Sequence, residues 1–567
     1  MRKPEPKEYY DIVIIGAGVG GLTAGALLSK AGFSVCVLEK EPHAGGYLAG
    51  FRRKDFRFDT AIHWLNQCNP GGMAAKIFDI LGSDRPQAVP QKRIRRYKGE
   101  SFDYLLTNNP NQLRDQWIAE FPHEKEGLIR FFKAAEKLGR SFHNFSKIFR
   151  SEETMTFAER MANKIPLLQF AMPFIPYIGY TGDKGIRKGL NKFFKDERLH
   201  TVFSSETELL SCLVPIGWAY YGDYQSPPEG GGQVIPEWLE HVVNYYSNDV
   251  FYKSKVKRIL LDGNKATGVY FEHRGEVHEV RSKYVIAACD VETLYEKMLP
   301  ESTIPHQLKQ KLKNAELYSS SVTVSIALDC PTEQLGFGEE LVHLASEKVP
   351  RGQHDNGNPL TSEISILAPS LRDKSLAPEG NGTLTLFMPA LMNYNSEWQT
   401  EKDEHGNYIR GEEYKKLKAA IAEALIDRVD KELAPGLKEH ILFYDVATPV
   451  THWRYTGNRN GTMMGAKPGR ANMQSKVAHY HTPVENLLLG GHWAELGGGV
   501  PIAVKAGANA TLLILKKEKP EAFKVLAQYM DGKAPAESIM TSGQFKPYDN
   551  SWKRDLTPAE KLALRQA

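Results

Sequence analysis

The sequence predicts an α/β fold in which a mostly parallel sheet, discontinuous along the chain, is interleaved with an α+β body. Three observations predict it. The chain begins with an apolar run that ends in a glycine turn. It contains a second pattern of strand, glycine turn and helix near its C-terminus. Two stretches of different composition lie between these motifs. The length of 567 residues exceeds what one compact core holds, which favours two domains.

The opening motif is an apolar run, Ile12 to Ile15, followed by Gly16-x-Gly18-x-x-Gly21. A small-residue helix pattern and a second apolar run then end on Glu39. This order is that of a Rossmann-type dinucleotide-binding unit, in which a pyrophosphate sits at the helix N-terminus and the acid bonds a ribose. The cofactor-binding residues predicted from this unit are Gly16, Gly18, Gly20, Gly21, Glu39 and Lys40.

The dinucleotide is indicated by the segment after the acid, where five residues separate Glu39 from the pair Gly45-Gly46. A nicotinamide dehydrogenase has no need for glycines there. In flavin enzymes similar to the amine oxidases and phytoene desaturases, such a pair lets the backbone pass beside the FAD pyrophosphate. FAD is therefore the expected cofactor, with Gly45 and Gly46 among its contacts, and a plain loop turn is the alternative.

Composition excludes several classes of function. Hydrophobic residues make up 41% and charged residues 25%, as in an ordinary soluble globular protein, and the net charge of +4 gives no argument for nucleic acid. The basic run Lys92 to Lys98 is typical of a solvated face. Five scattered cysteines without a CxxC pair favour a reducing, cytoplasmic location and no metal site.

Differences in composition and element pattern along the chain predict its domains. The FAD-binding domain is predicted over 8–80, 227–300 and 441–515, where glycine turns and alternating strands recur. The substrate or lid domain is predicted over 81–226, which is rich in helices and aromatics, and over 301–440, which mixes strands and helices. The lysine-rich residues 516–567 are predicted to be a surface appendage.

Residues 165–180 stand out because Gln169 is their one strongly polar side chain. Three prolines argue against a regular membrane-spanning helix, and no run reaches the roughly 18 apolar residues that a span needs. Basic residues follow closely. Two interpretations stay open: peripheral docking on an anionic membrane surface, or a buried lid packed on the core.

The C-terminal part of the chain contains a second pattern of strand, glycine turn and helix. A strand, Leu487 to Leu489, runs into Gly490-Gly491-His492, and Gly497 to Pro501 begins a helix. The positive end of that helix would face the flavin pyrimidine edge and stabilise negative charge on the reduced ring. Gly490, Gly498 and Val500 are accordingly added to the predicted cofactor contacts.

Taken together, these motifs resemble the phytoene desaturase, carotenoid isomerase and retinol saturase family within the amine oxidase-like flavoprotein superfamily. The resemblance covers the whole cofactor domain and implies a glutathione reductase-like FAD fold with Val256 at the adenine. Tyr47 stands where many amine oxidases have Arg, and Gly490-Gly491-His492 replaces an acid that often bonds the ribityl chain. The segments that carry the resemblance are Gly16 to Gly21, Glu39, Gly45-Gly46, Phe58-Asp59-Thr60-Ala61-Ile62-His63, Thr448-Pro449, Arg454-Tyr455-Thr456-Gly457 and Gly497 to Pro501.

The function implied is FAD-dependent redox chemistry on C–C or C=C bonds of a long apolar polyene or isoprenoid lipid. Desaturation, saturation and redox-neutral isomerisation stay open. His63 and His492 are candidate acid–base residues, and Trp64, Trp493 and Tyr47 are candidate pocket residues, although each could be a packing residue. The alternatives are a flavin amine oxidase and a non-enzymatic lipid-binding protein similar to Rab GDP-dissociation inhibitors.

Overall fold

A computed structural model describes residues 5–60 and 62–535. Its helices and strands fall into three buried apolar clusters and one small satellite. The strands are β1 (Tyr9–Ile15), β2 (Val35–Leu38), β3 (Gly50–Arg53), β4 (Phe56–Asp59), β5 (Val89–Pro90), β6 (Arg93–Lys98), β7 (Asp103–Thr107), β8 (Gln225–Ser226), β9 (Asp249–Phe251), β10 (Ser254–Asp262), β11 (Lys265–His273), β12 (Glu276–Ala287), β13 (Ser320–Leu328), β14 (Leu341–Leu344), β15 (Ile364–Leu367), β16 (Gly382–Ala390), β17 (Glu401–Lys402), β18 (Tyr408–Ile409), β19 (Ile441–Ala447) and β20 (Leu487–Leu489).

The helices alternate with these strands or gather in separate bodies. They are α1 (Val19–Lys30), α2 (Met73–Leu81), α3 (Pro110–Glu120), α4 (Lys125–His143), α5 (Phe157–Ala171), α6 (Gly182–Leu190), α7 (Glu197–Thr201), α8 (Leu209–Tyr220), α9 (Val234–Tyr245), α10 (Val291–Thr293), α11 (His306–Lys313), α12 (Pro369–Arg372), α13 (Tyr394–Gln399), α14 (Glu412–Glu432), α15 (Pro449–Thr456), α16 (Arg470–Ser475), α17 (Val500–Glu518) and α18 (Pro520–Met530).

The first sheet has the order β10-β11-β12-β1-β2-β9, with β20 paired to the end of β12. The strands β9, β2, β1, β12 and β20 run parallel, and β10 and β11 add an antiparallel extension. The β1 residues Ile12 to Ile15 are all buried, which is why that run is continuously apolar. The Rossmann-type α/β class predicted above is confirmed.

The C-terminal helix α17 lies against α1 and closes the first domain. A Cβ at Gly507 would come within 2.3 Å of the Gly20 carbonyl oxygen, so glycine is what permits this close approach. The adjoining α18 buries Leu526 and Met530 in the same core, and the Tyr529 hydroxyl donates to the Lys76 carbonyl at 2.7 Å.

Two of the expected boundaries differ from the structure. Within the expected appendage 516–567, residues 520–530 form α18, which packs on the core and is no surface appendage; 536–567 lie outside the described residues. The strand β19, expected within the FAD-binding segment that begins at 441, pairs with β13 at the edge of the second sheet instead. The remaining domain division stays a proposal.

The second sheet has the order β19-β13-β16-β15-β14-β6-β7. One face is apolar: a cross-strand row of Val324, Leu386, Ile366 and Val342 packs in the same core as α14. The opposite face is polar and aromatic. Its central row consists of Thr323, Phe387, Ser365, His343 and Tyr97.

A helical body, α3 to α8, packs around aromatic side chains such as Trp117 and Phe131. Helix α5 lies at its margin. A capping box between Thr156 and Glu159 starts the helix, Pro166 sits inside it, and it ends at Ala171 ahead of Pro173. The prolines therefore bend and terminate the segment but allow one helix of 15 residues.

Candidate active site

The first glycine turn has the geometry of an anion cradle. Gly16 has a φ of +102°, and Gly18 takes extended backbone as the N-cap of α1, which has no side-chain cap. A Cβ at Gly18 would have no atom within 4 Å, whereas one at Gly21 would lie 2.1 Å from the Gly16 carbonyl oxygen. The first N–H groups of α1 thus face open space, the arrangement that binds a phosphate.

Gly45 and Gly46 lie directly beside this turn. The Gly45 N–H donates to the Ala17 carbonyl at 2.9 Å, Gly18 and Gly45 form a parallel bridge, and both residues of the pair have positive φ. The two glycine motifs therefore form one backbone surface, and a side chain at Gly45 would come within 2.7 Å of the Ala49 nitrogen.

Glu39 ends β2 beneath the turn and is nearly buried. Its carboxylate accepts from the Ala17 N–H at 2.8 Å and the Glu41 N–H at 2.9 Å. Burial raises the pKa of this carboxyl, and the two backbone bonds oppose that shift. Each oxygen keeps a free lone pair, so the ribose contact predicted for Glu39 is compatible with its geometry.

The start of β10 lies beside Glu39, because the Ser254 N–H donates to the Glu39 carbonyl at 2.7 Å. Two other predicted cofactor contacts, Lys40 and Val256, belong to these segments. Lys40 donates to the Arg454 carbonyl at 3.2 Å and pairs with Glu41 at 3.8 Å, and burial lowers the pKa of its amine. Val256 follows in β10, at a register shift opposite Phe271. Its side chain is buried in the first core, which leaves backbone groups as its means of contacting a ligand.

The C-terminal turn meets the N-terminal one. A Cβ at Gly20 would lie 2.8 Å from the Gly490 carbonyl oxygen, so Gly20 serves the packing of the two motifs against each other. Gly499, with a φ of +83°, precedes Val500, the first residue of α17, and gives that helix an N-terminus without a side-chain cap. A Cβ at Gly498 would collide with Met464 at 2.0 Å.

His63 follows β4 and lies against the second sheet. Its ring meets Phe387 of β16 edge-on at 5.0 Å, and both ring nitrogens are buried without a hydrogen-bond partner among the described residues. Burial, followed by the charges of His343 and Arg372, lowers its pKa to about 4. The imidazole is therefore neutral at neutral pH, with both nitrogens available to a ligand.

His492 occupies a comparable position at the C-terminal turn. Its Nε2 is buried and unpartnered in the described part of the chain, and burial lowers its pKa to about 4. The neighbouring Trp493 is buried, and its indole N–H donates to Asn458 at 3.2 Å. That bond accounts for Trp493 as a packing residue, and its predicted pocket role stays a prediction.

The two other predicted pocket residues are half-buried. Trp64 donates to the Asn66 side chain at 2.8 Å and packs against Tyr224 at 5.4 Å. The Tyr47 hydroxyl donates to the Thr462 carbonyl at 2.5 Å, and burial raises its pKa to about 12. Tyr47 thereby joins the glycine-pair loop to the segment that leads into the C-terminal turn.

The remaining motif residues have structural roles: they cap a helix or bond the backbone. Thr448 caps α15 together with Thr451, and Gly457 ends that helix with a φ of +80°. Asp59 is buried and accepts from the Gly232 N–H at 2.8 Å; burial raises its pKa to about 7. Ala61 lies outside the described residues.

Two polar features near His63 were missed by the sequence analysis. Arg372, at the end of α12, donates to the His63 carbonyl at 2.9 Å and the Glu339 carbonyl at 2.7 Å. On the polar face of the second sheet, Arg95 pairs with Glu206 at 2.7 Å and contacts His343 at 3.1 Å. An arginine after a short helix and one inside a basic run carry no sequence signal that distinguishes them from surface residues.

The basic run of β6 is neutralised by acids. Arg93 pairs with Glu340 at 2.6 Å and Arg96 with Asp103 at 2.6 Å. Of the described residues, Asp329, Cys330 and His440 lie close enough together to share an ion, but His440 bonds Asp329 at 2.8 Å as an ordinary ion pair. The expectation of no metal site stays a prediction.

The chain belongs to the family of flavin-containing amine oxidoreductases, whose model matches residues 19–515. It is thus a flavoenzyme of that family, as the resemblance predicted. The match begins inside the first glycine turn, at the start of α1, and extends through the second sheet and the C-terminal glycine turn. The open cradle at Gly18 and the uncapped starts of α1 and α17 fit a flavin cofactor with a phosphate-bearing tail.

Two relatives and one solved structure are similar to this chain over most of its length. A prolycopene isomerase of Daucus carota is 26% identical over 80% of this chain and 71% of its own length. An all-trans-retinol 13,14-reductase of Danio rerio is 24% identical over 93% of this chain and 89% of its own length. A solved oxidoreductase of Methanosarcina mazei, 18% identical, superposes with a TM-score of 0.54 over 89% of this chain and 100% of its own. That last likeness shows the fold alone.

Within residues 5–60 and 62–535, no helix combines the length and the apolar character that a transmembrane segment requires.

Proposed function

We propose that the protein is an FAD-dependent oxidoreductase or isomerase that acts on conjugated C=C or adjacent C–C bonds of a long apolar polyene. Both relatives described above are named for such substrates, a prolycopene and a retinol. Support for FAD comes from the acid at Glu39 and the glycine pair at Gly45, which suit the adenosine and pyrophosphate parts of a dinucleotide.

One observation carries the substrate proposal: aromatic rings form a continuous row from helix α5 to His63. Phe174 meets Phe142 at 5.3 Å, Phe142 meets Trp218 at 5.3 Å, and Trp218 meets Tyr224 at 5.9 Å. Trp64 continues the row between Tyr224 and His63, at 5.4 and 6.2 Å. The first three of these pairs meet edge-to-face, so the row forms a packed apolar wall beside which a conjugated chain can lie, whereas an amine would need a polar path.

Bound FAD supplies the group that can accept or return a hydride. The residues of this chain provide the surroundings of that chemistry. The row of rings excludes water from the conjugated chain. His63 and His492 remain candidate proton carriers at their unpartnered ring nitrogens, which are neutral because burial lowers the pKa of each to about 4.

Peripheral membrane contact belongs to the same proposal. Helix α5 and the following turn expose Ile165, Leu168, Met172 and Ile175, each more than half exposed, while Phe170 and Phe174 turn inwards. Lys164 precedes this apolar face within α5, Lys184 and Lys188 follow it in α6, and these exposed cations would suit an anionic bilayer. Five unpaired cysteines fit a reducing compartment, so the proposed location is the cytoplasmic side of a membrane.

A cavity lies beneath this face. It measures about 490 Å³ and is lined by apolar groups such as Pro166, Phe170 and Tyr177, with Lys137 and Arg140 at its side. A substrate dissolved in the bilayer would enter the row of rings from here without crossing water. The lid interpretation of residues 165–180 stays compatible with this arrangement.

The test starts from the protein reconstituted with FAD and freed of excess cofactor. We expect a flavin absorbance spectrum that a panel of primary and secondary amines does not bleach. When all-trans-retinol or a cis-carotenoid is added anaerobically to the photoreduced protein, we expect either reoxidation of the flavin or isomerisation of the polyene. Product analysis then separates saturation from isomerisation, and bleaching of oxidised flavin by the polyene would indicate desaturation. Absence of bound flavin would exclude the enzyme, and rapid bleaching by an amine would favour the amine oxidase alternative.

A further inference from the structure

Arg372 is a buried cation without an acid partner in the described part of the chain. Its Nε and Nη1 donate to the carbonyls of Glu339 and His63, and its Nη2 is buried without a partner. Peptide carbonyls carry no net charge, and the charges of Glu339 and Glu340 favour the guanidinium without forming an ion pair with it. Burial lowers its pKa to about 10, which expresses the cost of keeping that charge away from water.

The nearby carboxylates are engaged elsewhere. Glu340 is bidentate to Arg93, at 2.6 and 2.8 Å, and Glu339 accepts from the Arg93 N–H at 3.0 Å. Asp373 accepts from the Gly230 N–H at 2.7 Å, and Asp59 from the Gly232 N–H. A charge that the protein leaves unpaired in a buried place is one that a ligand can pair.

His63 supplies a second unpartnered polar side chain beside Arg372. Arg372 holds its carbonyl, and its ring is neutral with both nitrogens unpartnered. The polar face of the second sheet continues the site, because the row that includes Phe387 also carries Thr323, whose hydroxyl is buried and unpartnered among the described residues. Unpartnered donors in such surroundings are costly unless something accepts from them.

We propose that Arg372 and His63 receive a carboxylate at one end of the polyene substrate. This inference rests on the function proposed above and specifies its substrate class. Arg372 supplies a single cation, which suits a monoanion; a diphosphate would need several cations. The guanidinium edge presents donors in a planar fork suited to a carboxylate, and His63 offers a further donor beside it. The row of rings that ends at His63 accommodates the apolar chain.

The test compares three ligands of one shape: all-trans-retinoate, its methyl ester and all-trans-retinol. Binding to the FAD-loaded protein is followed by quenching of tryptophan fluorescence, which needs no turnover. We expect the wild type to bind the carboxylate about tenfold or more tighter than the ester, since a hydrogen bond to a charged group contributes about 1.5–3 kcal/mol. Arg372→Gln should remove that preference and change ester binding by less than about threefold.

Two further variants sharpen the result. Arg372→Lys keeps the charge without the fork and should retain part of the preference, while the surface substitution Arg53→Gln should leave it intact. Bound FAD and its absorbance should be the same in all of them. Equal wild-type affinity for acid and ester, or loss of flavin in Arg372→Gln with ester and acid weakened alike, would overturn the assignment.

The outcomes also separate this inference from the one it rests on. Binding and turnover of the alcohol and the ester without any preference for the acid would overturn the carboxylate site alone. Binding of none of the three ligands by the flavin-loaded protein would overturn both.

Discussion

At the residue scale, Asp59 shows how burial couples a carboxyl to pH. Its folded pKa of about 7 lies above the ordinary 3.8, so its contribution to stability is fully present below pH 3.8 and is lost progressively as the pH rises from there through about 7. Each pKa unit corresponds to about 1.4 kcal/mol. An asparagine would accept the same Gly232 hydrogen bond without ever ionising.

We therefore expect Asp59→Asn to be more stable than the wild type at pH 8, by about 1–3 kcal/mol, with the difference shrinking or reversing at pH 5. Denaturant unfolding at both pH values measures it. Asp55→Asn is the matched control, since Asp55 is exposed at the turn between β3 and β4. A pH-independent difference between the wild type and Asp59→Asn would contradict the assigned pKa.

Two glycines of one motif serve different purposes. A methyl group at Gly18 would enter open space, and its φ of −72° is ordinary for alanine, so Gly18→Ala should fold with little loss of stability. The same change at Gly20 would bring the methyl within 2.8 Å of the Gly490 carbonyl and should cost about 1–3 kcal/mol.

The readouts of the two variants should therefore differ. We expect Gly18→Ala to lose about tenfold or more in flavin affinity at nearly unchanged melting temperature without flavin, because the methyl fills the cradle. Gly20→Ala should melt earlier with or without flavin. Flavin titration and thermal melting give both quantities, and undiminished flavin binding by Gly18→Ala would show that the cradle holds something else.

At the element scale, helix α5 offers the sharpest experiment on membrane contact. Changing Leu168, Met172 and Ile175 to serine removes exposed apolar surface without touching a buried side chain. We expect this triple variant to keep the wild-type melting temperature and to bind vesicles with 30% anionic lipid at least about fivefold more weakly, since membrane binding scales with buried apolar area. Co-sedimentation of protein with vesicles measures it.

The matched control lies on the inward side of the same segment. Phe170→Ser and Phe174→Ser would instead loosen the packing on Phe142 and lower the melting temperature, with vesicle binding by the folded protein retained. If the exposed-face triple variant sediments with vesicles as well as the wild type, this face is a lid surface or a protein contact and no membrane anchor.

The elements also show what the sequence could predict. The strand, turn and helix of residues 9–38 follow from apolar runs and glycine spacing, which are local signals, and the sequence located them correctly. The packing of Gly20 on Gly490 and the burial of α18 could not be predicted, because each depends on a partner hundreds of residues away. Arg372 was missed for the same reason, since its partner carbonyl belongs to His63.

At the scale of the whole molecule, the cofactor site is assembled from segments that are far apart in the chain. The first sheet takes strands from residues 9–38, 249–287 and 487–489, and the second sheet takes β6 and β7 from one insertion and its other strands from a later stretch. The loop after β4 reaches the second sheet, where His63 contacts Phe387. Because neither sheet is a continuous piece of chain, the described residues 5–60 and 62–535 should unfold together.

A ligand bound at the junction of these segments should then raise the stability of the whole molecule. At one hundred times its dissociation constant, FAD adds about 2.7 kcal/mol, which for a chain of this size moves the melting temperature up by roughly 2 °C. Differential scanning calorimetry with and without FAD should show one transition that moves as a unit, and Gly18→Ala should show the same transition with about half of the shift or less at the same FAD concentration. Two resolved transitions, only one of which responds to FAD, would mean that the second sheet and the helical body fold independently of the cofactor site.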